Sequence, residues 1–175
     1  MISIYMSILA GFVGLLAALI LARKVITQPA GNNEVTDIGK LIQEGAMAFL
    51  KKEYMILSIF VVAIFVILTV LIDFNLFGND KIDQLSSGGR VSLNGPWTAI
   101  AYLFGALGSG LAGFIGMNIA VRGNTRTATA AQKGLNQALR VAFNSGAVMG
   151  MTVVGIGIIG VSTLWLIFQN PTVIA

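Results

Sequence analysis

The chain has no cysteine and no histidine. The first absence excludes disulfides, thiolate metal sites and a cysteine nucleophile. The second removes the commonest general base and the commonest metal ligand. Charge is scarce as well: Asp, Glu, Lys and Arg make up 10 % of the 175 residues, where soluble domains carry about 25 %. Nor is there a glycine loop of the Walker type with its Lys-Ser/Thr, so an ordinary nucleotide pocket has no support. The net charge of +4 is not read as a nucleic-acid footprint, because the basic residues flank apolar runs, where membrane topology accounts for them.

Apolar sequence fills the space. Hydrophobic residues make up 56 % of the chain and mean hydropathy is +0.86, which is membrane composition. The expected fold is all-α and integral to the membrane, a single membrane domain over 1–175 with four transmembrane helices at about 3–22, 54–72, 97–121 and 147–168. The first run ends on Arg23-Lys24. A secretory signal carries its positive charge before the apolar run, so this segment reads as an uncleaved anchor with its N-terminus outside. Gly11 and Gly14 mark close packing. The linker Val25–Asn33 reads as a turn, with Asn33 or Thr36 as the cap of the next helix and Glu34 and Asp37 in its first turn. That helix is amphipathic from Ile38 and wholly apolar from Met55, apart from two small hydroxyls, and is read as one long helix standing half in the cytoplasm.

The polar stretch 73–96 reads as an external loop. Its Asn79, Asp80 and Asp83 do not have the alternate spacing and distal Glu of an EF-hand, so a solvated loop is preferred to a calcium site. Trp97 to Val121 has no charged residue in 25 positions. Gly105, Ser109, Ala112, Gly116 and Ala120 share one face there, flanked by Gly108 and Gly113. On the fourth helix Ala138, Ala142, Gly146 and Gly150 recur at steps of four, prolonged by Gly157 and Gly160. Such seams let membrane helices approach closely, and Gly146 is the position expected to tolerate added volume least. Lys133, Gln137, Arg140 and Asn144 form a wet face on the same helix. Between the two helices, Arg122-Gly-Asn-Thr-Arg126-Thr reads as a turn. It could take an anion at the next helix N-terminus, but capping by Thr127 or Thr129 is preferred.

Nine basic residues (Arg23, Lys24, Lys40, Lys51, Lys52, Arg122, Arg126, Lys133 and Arg140) fall on one side of the four-span scheme, and Lys81 and Arg90 on the other. The positive-inside rule then makes 23–53 and 122–146 cytoplasmic, with both termini outside. No Asp, Glu, Lys or Arg lies inside the assigned spans, which argues against an ion path within this chain. Its cytoplasmic carboxylates, Glu34, Asp37, Glu44 and Glu53, are strung along one helix rather than gathered as a magnesium phosphoryl enzyme requires.

Two stretches carry a resemblance. One is Asn124-Thr125-Arg126-Thr127 followed by Phe143-Asn144-Ser145-Gly146-Ala147-Val148-Met149-Gly150; the other is Ile42-Gln43-Glu44-Gly45-Ala46-Met47-Ala48-Phe49-Leu50-Lys51-Lys52-Glu53-Tyr54. In this order and spacing the chain resembles the membrane-integral pyrophosphatases, the proton- or sodium-pumping inorganic pyrophosphatases. The resemblance covers nearly the whole chain and about the front quarter of such a subunit. It implies a sixteen-helix fold of which these are the first four helices, a homodimer in the lipid bilayer of the cell membrane, and magnesium as cofactor, with a potassium requirement and the choice of H+ or Na+ left open. It implies hydrolysis of inorganic pyrophosphate coupled to ion export, with the chemistry on an inner ring of later helices and these four as scaffold, the glycine seams of the third and fourth helices packed against that ring and the basic cytoplasmic ends flanking the hydrolytic mouth. The family's Asp- and Lys-bearing motifs begin beyond Ala175, so no catalytic, cofactor-binding or metal residue is carried over. The chain accordingly reads as an N-terminal portion that is inactive alone, completed by the remaining helices of a parent pump. The competing reading is a small self-standing four-helix membrane protein, a structural partner or an oligomeric transporter.

Overall fold

The computed structural model describes residues 2–73, 96–169 and 174. The proposed external loop, with Asn79, Asp80 and Asp83, lies outside the described residues but for its two ends. Four long helices account for almost everything else: α1 Ile2–Ile26, α2 Asn33–Leu68, α3 Trp97–Ala131 and α4 Leu135–Phe168. All four are long and apolar enough to cross a membrane. The protein is an all-α membrane protein.

The helix ends follow from local chemistry. Arg23 and Lys24 occupy the last turn of α1, where cations complement the helix dipole. The cap of α2 is Asn32, not Asn33 or Thr36: its Oδ1 accepts from the Val35 N–H at 3.0 Å. Asn33 is already helical, and the Thr36 hydroxyl donates to its carbonyl at 2.9 Å. α2 runs unbroken for 36 residues and then widens into a π-helical turn, Thr69–Asp73, where Thr69 Oγ1 donates back to Phe65 O at 2.8 Å. At 1.5 Å per residue α2 is about 54 Å long, well beyond a ~30 Å hydrocarbon core.

The turn between α3 and α4 is not at Asn124–Thr127. α3 continues through that stretch to Ala131, and the chain reverses at Gln132-Lys133-Gly134. Asn and Thr are poor helix formers, but here their neighbours keep the backbone bonded. Arg126 Nη1 donates to Arg122 O at 2.8 Å and Thr129 Oγ1 to Thr125 O at 2.9 Å, and Ala128, Ala130 and Ala131 favour helix. Gly134 has φ +139°, open to glycine and strained for other residues. α4 ends on Gln169 in the left-handed region, its N–H on Trp165 O at 2.9 Å.

α4 is the middle of the bundle. α1 packs on one side of it and α3 on the other, and α2 lies on α3. Gly11 and Gly155 bring α1 and α4 together: a methyl added at either glycine would stand 3.1 Å from the other's carbonyl oxygen. The buried positions of α3 include Ala112, Gly116, Ile119 and Gly123, so the expected face is right at Ala112 and Gly116, while Gly105 and Ser109 are exposed. On α4 the line that packs within this chain is not the expected seam but lies beside it. Ala138 is buried, but the line continues through Val141, Ser145, Val148, Thr152 and Gly155. Gly146, Gly150, Gly157 and Gly160 face open space among the described residues. The reason is complementarity: α3 supplies the small residues and α4 the side chains that fill them. Methyls added at Gly108, Gly116 and Gly123 would meet Ile156, Met149 and Ser145. Glycine on both sides would leave a void.

Candidate functional site

The polar side chains that bridge elements gather where α3 extends past its apolar run. Arg126 Nε donates to Ile26 O at 3.2 Å, the last carbonyl of α1, and Thr129 Oγ1 donates to Ala30 O at 3.1 Å. Gly31, with φ +107°, leaves no room for a side chain against Thr129, and Gly39 of α2 lies directly on Thr125. The motif expected to bind an anion or to cap α4 thus does something else. It stays helical and clasps the α1–α2 linker, its cation on the negative end of α1's dipole. Burial, and after it the neighbouring Arg122, lowers the Arg126 guanidinium below its ordinary pKa. The sequence signal for this role was Arg and Thr at steps of three and four, which place Arg126 and Thr129 on one helix face.

Toward the opposite end, Tyr54 Oη donates to Gly110 O at 2.6 Å, joining α2 to the middle of α3. Gly113 keeps the approach clear: a methyl there would meet the tyrosine oxygen at 3.1 Å. Ser145 Oγ donates to Ile119 O at 3.4 Å across α3 and α4. Beside it an open groove is lined by Asn124, Thr127, Ala142 and Gly146. Ser58 and Thr152 satisfy their hydroxyls on their own helices, at Met55 O and Val148 O.

The four carboxylates remain apart. Asp37 pairs with Lys40 at 2.9 Å in solvent, Glu34 and Glu44 are exposed, and Glu53 is half-buried farther down α2. Among the described residues no three of Asp, Glu, His and Cys converge as metal ligands would.

A family model described as inorganic H+ pyrophosphatase matches residues 12–175. The chain belongs to the inorganic H+ pyrophosphatase family. Among curated relatives, a K+-insensitive pyrophosphate-energized proton pump of Methanosarcina mazei is 33 % identical over 171 residues, which are 98 % of this chain and 22 % of the relative. A putative K+-stimulated pyrophosphate-energized sodium pump of Clostridium tetani is 38 % identical over 145 residues, 83 % of this chain and 18 % of the relative. A K+-insensitive proton pump of Caldanaerobacter subterraneus subsp. tengcongensis is 35 % identical over 167 residues, 94 % and 22 %. The chain therefore spans about a fifth of the length of these relatives, and it matches their N-terminal part. No solved structure gives a match. The donors described here do not fit the magnesium implied by the resemblance, so no chemical step is assigned to these residues through that ion.

Proposed function

We propose that these four helices are the outer scaffold of a pyrophosphate-energised pump, which hydrolyses inorganic pyrophosphate with magnesium and moves H+ or Na+ out of the cytoplasm. The observation that carries the reading is a family match over nearly the whole chain together with carboxylates spread along a single helix. In this reading the linker and the α3–α4 turn face the cytoplasm, both termini lie outside, and the bilayer is the cell membrane. The remaining helices of the pump, in a homodimer, supply the catalytic groups and the ion gate. Names of relatives include both K+-insensitive and K+-stimulated pumps, so the potassium requirement belongs with residues beyond these.

The test is phosphate release from the purified, reconstituted chain given magnesium and pyrophosphate. The expected rate is background, since hydrolysis needs clustered metal ligands and cations on the phosphates. Activity should appear once the rest of a relative-length sequence follows in frame. Release that vanishes when Glu34, Asp37, Glu44 and Glu53 are all changed to Ala would place a site on α2 and end the scaffold reading.

A further inference from the structure

The registers of the helices put charge at an unexpected depth. Gly39 lies on Thr125 and Tyr54 bonds to Gly110. These contacts are fifteen residues apart on each helix, so α2 and α3 run antiparallel without slipping. Lys51 and Lys52 are then level with Gly113 and Ala112, within four residues of the middle of the uncharged run Trp97–Val121. The other contacts carry that level across the bundle. Methyls added at Gly108 and Gly116 would meet Ile156 and Met149, so Ala112 stands beside Thr152; a methyl added at Gly14 would stand 3.9 Å from Met151 O. Gly14 itself is near the middle of the apolar run of α1. Two ammonium groups, both exposed, thus sit on α2 at a depth where its three neighbours are uncharged.

Hydrocarbon is a poor place for them, and their own length does not rescue them. Val121, the end of the apolar run of α3, is eight or nine residues away, about 12–14 Å at 1.5 Å per residue. A stretched lysine side chain covers only about 6 Å with its bonds of ~1.5 Å. Toward the linker, Lys51 shares a side of α2 with Glu44 and Lys40, at helical spacings of seven and four. Asp37 prolongs the stripe and is ion-paired in solvent. This polar stripe lies away from the Leu50–Tyr54 side that meets α3, since Leu50 is the buried residue of α2.

We propose that water follows this stripe inward, forming an aqueous crevice along α2 that opens on the side of the α1–α2 linker and has Lys51 and Lys52 at its floor. The lipid-facing surface of α1 stays dry at the same depth. Lys51 and Lys52 outnumber the one carboxylate beside them, Glu53, so the floor stays net positive and disfavours cations; the crevice hydrates the scaffold and is no inlet for a transported ion.

The absence of cysteine makes the test clean. Single variants Lys52→Cys, Lys51→Cys, Val13→Cys and Lys133→Cys are made in the full chain and treated in sealed vesicles of both orientations with a membrane-impermeant maleimide. Val13 is level with Gly14 and 58 % exposed; Lys133, in the α3–α4 turn, reports the side. Labelling after denaturation normalises each variant. Lys52→Cys and Lys51→Cys should label to near completion from the side that labels Lys133→Cys, with Val13→Cys at background. If Val13→Cys labels equally, the membrane surface itself lies at this level and there is no crevice. If both lysine sites stay unlabelled, water does not reach them. Either result overturns the proposal.

Discussion

The contact of α1 with α4 and that of α2 with α3 are built on different principles. α1 buries Gly11, Ala18 and Val25, and it meets α4 backbone to backbone where Gly11 faces Gly155. α2 buries one, Leu50, and is attached through hydrogen bonds: Tyr54 to Gly110, with Arg126 and Thr129 holding the linker before it. In lipid an apolar side chain gains nothing by leaving one apolar neighbour for another, so helices associate through close packing or through polar contacts. One pair uses the first and the other the second. Added volume should break the first interface, and loss of a donor should break the second.

The largest effect is expected at Gly155. A leucine there would drive its Cβ to within 2.9 Å of Leu15 and 3.1 Å of the Gly11 carbonyl, and a backbone cannot rotate aside. Overpacking of this kind costs about 1–3 kcal/mol, so Gly155→Leu should lower melting in detergent and folded yield sharply. Gly146→Leu in this chain alone, where the position faces open space among the described residues, should stay within about 0.5 kcal/mol. Equal losses in the two variants would erase the distinction between seam and open face.

Next comes the clasp. Arg126→Ala removes the donor to Ile26 O, worth about 1 kcal/mol for a partly exposed bond. Proteolysis within residues 27–32 should then quicken. Arg126→Lys should not restore protection, since a lysine lacks the planar fork that bonds Ile26 and Arg122 together. Full rescue by lysine would mean that charge alone holds the linker.

The smallest effect belongs to Tyr54→Phe, which keeps the ring and removes the hydroxyl. Interhelical bonds in membranes average about 0.6 kcal/mol. The expected signature is a slight fall in melting with faster amide exchange in α2 and none in α4. Equal acceleration in both helices would show that α2 is not a separately attached element.

The existence of the four helices was legible, because their apolar runs are long and their polar breaks abrupt. The extent of α3 was not. Arg122-Gly-Asn-Thr-Arg126-Thr contains residues that favour turns, and only the structure shows their side chains returning bonds to the helix and to the linker. Which helix covers the α4 seam was not legible for a related reason. Spacing of four among Ala142, Gly146 and Gly150 identifies a face of small residues, yet the neighbour that covers a face is a property of the pair. Since α3 already offers Gly108, Gly116 and Gly123, its partner presents Ile156, Met149 and Ser145. The depth of Lys51 and Lys52 was hidden too: on their own helix they lie before the apolar run, and only the register against α3 shows what lies beside them.

The meeting of Gly11 with Gly155 also sets an order of assembly. α1 is made before its main partner: Gly155 lies 144 residues after Gly11 in the sequence. At the usual ~5–20 residues per second of synthesis, α1 waits roughly 7 to 30 seconds in the bilayer before α4 emerges. Through that interval its glycine face has no partner from this chain, whereas α3 gains α4 as soon as the short Gln132–Gly134 turn closes. The α3–α4 hairpin therefore closes before α1 is seated on it, although α1 is synthesised earlier.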